Sequence, residues 1–176
     1  MMEKETQLKN LYLKLKGGIF EFKGSSMEPT LMEGCRLKIE PSTTNDIKPG
    51  DIVVFGREVL ICHRVLSRVK VFNKIYFLEM GDNTDRPNVI SEDEIIGKVV
   101  SVIEGEKVIG ADSYAVKRNI LFYPLGFISF SLIFTAYFLK RLDFLRENLI
   151  LRKLGALIWR QIGRFWIFLM NRQMEQ

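Results

Sequence analysis

A chain of 176 residues with 47% hydrophobic residues and a mean hydropathy of +0.05 is long enough for one modest domain with an apolar core plus an appendage. The formal net charge of +5 does not indicate a nucleic-acid surface, because the excess Lys and Arg are not interleaved with aromatics in one stripe; much of it follows residue 139 and flanks apolar segments, as suits phospholipid headgroups. Two cysteines, Cys35 and Cys62, cannot make a disulfide framework and read as buried free thiols, and one histidine without zinc-like spacing argues for no metal and no cofactor.

In chain order, residues 1–18 read as a short amphipathic helix stopped by Gly17-Gly18, with no apolar run of the kind that forms a secretory signal. IFEFK (19–23) and CRLKIE (35–40) alternate apolar and polar residues, the period of a half-buried strand. Between them, GSSMEPTL (24–31) is a turn-like segment. DIVVF (51–55) is nearly continuous in apolar character, as expected of a strand buried on both faces. Further strands are expected at 59–65, at 69–72 and 75–79, and at 95–103, with a loop of turn residues at 81–88 and an acidic turn at 91–94. About seven short strands with frequent turns predict a mainly β fold over 19–118, a compact barrel or sandwich.

The character changes after residue 118. Ile120–Leu139 holds twenty residues without a charge, with Lys117-Arg118 before it, Lys140-Arg141 after it and tyrosines near both ends. That is the length of a membrane-crossing helix, so 119–141 is expected to be transmembrane or membrane-embedded. Residues 142–176 place Leu149, Ile150, Leu154, Leu157, Ile158, Ile162, Phe165, Trp166 and Leu169 at helical spacing among arginines. They predict a basic amphipathic helix on a membrane surface; a helix packed on a partner protein is the other reading.

The chemistry-bearing residues lie in GSSMEPTL, ICHRVL (61–66) and GDNTDRPN (81–88). A serine hydroxyl is a poor nucleophile at neutral pH unless a base takes its proton and donors hold the oxyanion. Ser26 sits in a turn able to present its Oγ. His63 is the single histidine, on a rigid strand. Asp82 and Asp85 lie where one of them could hydrogen-bond the far ring nitrogen, as in a catalytic triad. Each residue alone is more often ordinary: a turn serine, a structural histidine, turn-forming aspartates.

Together these segments resemble the signal peptidase I family of serine peptidases. SMEPTL (26–31) resembles its nucleophile box, KPGDIVVF (48–55) its structural strand, and GDN (81–83) its last box; the likeness spans residues 19–103. CHRVL (62–66) resembles the branch of endoplasmic-reticulum type, whose base is histidine rather than lysine. The resemblance implies a signal-peptidase-like β domain, which the hydropathy pattern expects to be followed by membrane-associated helices. It also implies a membrane-associated serine endopeptidase acting on precursor polypeptides with small residues before the cut. It assigns Ser26 as nucleophile, His63 as base, Asp85 as the orienting carboxylate and Asp82 as support. The family often carries a serine two residues before its nucleophile, where this chain has Gly24, and it usually carries its anchor before the serine rather than after. Positive charge after residue 139 favours a cytoplasmic end there, yet no export signal precedes the β domain, so the side of the membrane stays open. Two other readings share the pattern: a non-catalytic membrane adaptor, and a self-processing peptidase of the repressor type.

Overall fold

The computed structural model describes residues 17–56, 59–71, 73–114, 128–131, 157–158 and 160–168. The mainly β expectation holds. Eight antiparallel strands form one sheet: β1 (Ile19–Glu21), β2 (Arg36–Glu40), β3 (Ile52–Phe55), β4 (Ile61–Val71), β5 (Lys74–Met80), β6 (Asn88–Ser91), β7 (Ile95–Glu104) and β8 (Lys107–Gly110). Their order is β1-β2-β7-β3-β4-β5-β6, with β8 also on β7. The expected 1–18 helix lies outside the described residues apart from Gly17-Gly18, as does most of 119–156. Among the described residues no helix is long and apolar enough to cross a membrane.

Two strands act as spines. Lys98 of β7 pairs with both Glu40 of β2 and Val53 of β3, so β2 runs along one edge and β3, then β8, along the other. Arg64 of β4 pairs with both Ile52 of β3 and Met80 of β5. The first half of β4 therefore belongs to β3 and the second half to β5.

The burial pattern follows the sequence period. β2 alternates strictly, with Leu37 and Ile39 inside, whereas all four residues of β3 are buried. Its two faces feed different apolar clusters: Ile52 and Val54 join Met27, Leu31, Leu37 and Val102, while Val53 and Phe55 join Ile47, Val65, Phe77 and Ile90. That is why DIVVF reads as an unbroken apolar run.

Three elements differ from the sequence reading. The strands expected at 59–65 and 69–72 are one strand of 11 residues, because a β-bulge between Val65 and Ser67 carries the pairing through polar Ser67 and Arg68. Part of the 81–88 loop and the residues after it form β6. Lys107–Gly110 form β8, a hairpin on β7 in which Gly105, at φ 61°, takes the left-handed turn position.

The helical residues 160–168 turn one face to the sheet. Trp166 is fully buried against Leu66, Leu78, Met80 and Phe130, with Ile162 and Ile167 beside it, and its indole N–H donates to Ser129 Oγ at 3.1 Å. Part of the amphipathic helix is thus packed on the chain's own β4–β5 face. Leu157, Ile158, Phe165 and Phe168 remain exposed.

Candidate functional site

Ser26 is held by its neighbours in sequence. Met27 and Leu31 are both fully buried, and the Leu31 N–H donates to the Met27 carbonyl at 2.9 Å, so the turn is anchored in the core on either side of the cis Glu28–Pro29 bond. The segment is tied from across the chain by Asn83. Its backbone N–H donates to the Ser26 carbonyl at 2.8 Å and its side-chain amide donates to the Ser25 carbonyl at 3.1 Å. The GDN loop thereby clamps the serine turn. Gly24 stands at φ 102° with its N–H on Glu33, a backbone conformation that favours glycine, which explains why no hydroxyl-bearing residue occupies that position.

His63 enters from the other side, on β4 just before Arg64, where the strand passes from β3 to β5. Its ring packs edge-on to Phe55 with centroids 5.9 Å apart. Gly81 brings the serine turn and the histidine together. A Cβ built there would lie 2.5 Å from the Ser26 carbonyl oxygen and 3.0 Å from His63 Nε2. The serine backbone and the ring nitrogen thus converge on a space that only a glycine leaves open. A cleft of about 730 Å³ opens beside them, lined by Glu28, Pro29, His63, Asn83, Asp85 and Ile167 among others.

The sequence reading assigns Asp85 the role of orienting His63 and Asp82 a supporting one; neither aspartate touches the imidazole. Asp82 is buried and holds Arg64: Arg64 Nε donates to Oδ1 at 2.8 Å and Nη2 to Oδ2 at 2.6 Å. Arg64, fully buried, also donates to the Gly50 carbonyl at 2.8 Å and contacts Thr30 Oγ1 at 3.4 Å. This bidentate pair ties the serine turn, the loop before β3 and the GDN loop together, so Asp82 supports the site through Arg64. Asp85 lines the cleft but reaches arginines rather than the imidazole, 3.4 Å from Arg160 and 4.0 Å from Arg86. Neither is the carboxylate on the histidine. His63 Nδ1 lies 2.5 Å from Oε2 of Glu79, a residue of β5 that is only 2% exposed.

Glu79 was legible in one respect. It is the lone acid in a run where Phe77, Leu78 and Met80 are fully buried, and a carboxylate inside an apolar strand demands a partner. Reading 75–79 as a strand that merely ended at Glu79 hid that signal.

Cys35 and Cys62 are free and buried, as expected, and burial pushes the Cys62 thiol far up from its ordinary value, so it is no nucleophile at neutral pH. Among the described residues no group of three or more His, Cys, Asp or Glu side chains is placed to hold a metal ion. No family model, curated protein or solved structure matches the chain.

Proposed function

We propose that this chain is a membrane-associated serine endopeptidase of signal-peptidase type, acting on precursor polypeptides. The observation that carries the reading is the convergence of the Ser26 backbone and His63 Nε2 over Gly81, at the edge of an open cleft. The order of SMEPTL, KPGDIVVF, HRV and GDN along the chain supports it further.

In this mechanism Ser26 Oγ attacks the scissile carbonyl while His63 Nε2 takes its proton. The tetrahedral intermediate expels the leaving amine, which receives that proton from His63, and an acyl-enzyme remains. Water, deprotonated by the same nitrogen, then hydrolyses the ester.

Membrane association rests on Leu157, Ile158, Phe165 and Phe168, exposed by 41–58% beside Arg160 and Arg164. Apolar side chains flanked by cations suit the headgroup boundary of an anionic bilayer.

The test is labelling by an active-site serine acylating probe, followed by processing of a precursor with small residues before the cut. Ser26→Ala and His63→Ala each reduce turnover by roughly 10⁶-fold, because nucleophile and base act as a unit. Full activity in Ser26→Ala rejects the mechanism. A wild-type chain that takes no label supports the adaptor reading instead.

A further inference from the structure

We infer that Glu79 is the positioning carboxylate of this site, holding His63 so that its Nε2, and not its Nδ1, is the free base facing Ser26. The inference rests on the peptidase reading above.

The argument begins with register. Facing residues of an antiparallel pair point to the same side of the sheet, and side chains alternate along each strand. Glu79 faces Val65, and His63 is two residues from Val65, so Glu79 and His63 share a face. The bulge at Leu66 decides this. Ser67 faces Leu78, so an unbulged ladder would set Glu79 opposite Leu66, on the side of Arg64. With the bulge, Arg64 is left to Asp82 and the imidazole goes to Glu79.

Burial supplies the second step. A carboxylate removed from water is costly unless it is paired and hydrogen-bonded. The Glu79 side chain is 3% exposed, and His63, itself 18% exposed, lies against its Oε2. A proton must lie between Nδ1 and Oε2, since two unprotonated acceptors repel at that distance. If Nδ1 carries it, Nε2 presents a lone pair to the serine. The imidazolium formed when Nε2 takes the serine proton then has a buried counter-charge beside it. If Glu79 carries it, neutral His63 holds its own proton on Nε2 and cannot act as the base.

His63 is the single histidine of the chain, so its ring nitrogens are read without overlap in ¹⁵N-labelled full-length protein. The expected result is a protonated Nδ1 with a far-downfield proton resonance that disappears in Glu79→Gln. In parallel, Glu79→Gln slows Ser26 acylation by up to about 10⁴-fold, and Glu79→Asp restores part of it. Neutral His63 protonated at Nε2 in the wild-type chain overturns the inference, as does a Glu79→Gln chain that acylates at the wild-type rate. A wild-type chain that never acylates refutes the peptidase reading instead, and the nitrogen shifts still decide which atom carries the proton.

Discussion

Gly81 is the residue on which the site turns. Its conformation is not the constraint; its lack of a side chain is. An alanine methyl would meet the Ser26 carbonyl at 2.5 Å and His63 Nε2 at 3.0 Å, and the first of these is backbone that cannot rotate away. Gly81→Ala is expected to push the serine turn from the histidine while leaving the strands in place. A displacement near 1 Å costs on the order of 10²-fold in rate. Probe labelling together with circular dichroism checks this, and wild-type labelling in the variant refutes the convergence. The two aspartates separate at the same scale. Asp82→Asn strips the buried Arg64 of the carboxylate that balances it and should destabilise the fold by about 3–5 kcal/mol. Asp85→Asn breaks an exposed pair with Arg160 and should cost less than about 1 kcal/mol. Denaturant titration of both distinguishes the roles; equal losses would contradict them. Ser26 and His63 stood out as candidates through the order of short motifs that together resemble one family. Glu79 was legible only as an acid within an apolar strand and not as the partner of His63, because a side chain's face depends on pairing with a strand distant in sequence.

At the scale of elements, the first half of β4, through His63, and the 160–168 helix, through Ile167, reach the wall of the cleft. The helix was legible as amphipathic from its 3.6-residue period, but its apolar residues do not form one face. Ile162, Trp166 and Ile167 turn to the sheet, and Gly163 lets the backbone approach Asp85 so closely that a Cβ there would overlap the Asp85 carbonyl. Leu157, Ile158, Phe165 and Phe168 point elsewhere and stay exposed. The helix therefore joins the cleft on one side to a second apolar surface on the other. Replacing Phe165 and Phe168 together with glutamate should leave the melting temperature nearly unchanged. Binding to vesicles containing anionic phospholipid should fall at least about 10-fold, given roughly 1.5–3 kcal/mol per buried aromatic. Co-sedimentation measures this, and undiminished binding would remove the lipid surface as the partner of that face. The joining of two expected strands into β4 has a similar origin. Ser67 and Arg68 interrupt the apolar pattern, so local periodicity breaks the strand where cross-strand hydrogen bonding continues it.

For the whole molecule, the sequence by itself determined the class and the ingredients. Alternation marked β2 and the unbroken apolar run marked β3, turn residues marked the loops, and four motifs in order singled out Ser26 and His63 as candidates. These are local properties, carried by residues within a few positions of one another, so a linear reading reaches them. The tertiary structure decided the assembly. It brought Asn83 onto the carbonyls of Ser25 and Ser26, gave Arg64 to Asp82, and set Glu79 against His63. That last choice hangs on one extra residue, the bulge at Leu66, since a shift of one position moves every following side chain to the opposite face. Which acid serves the histidine is a consequence of strand register, and register is fixed by the packing of the whole sheet rather than by the residues that flank the site.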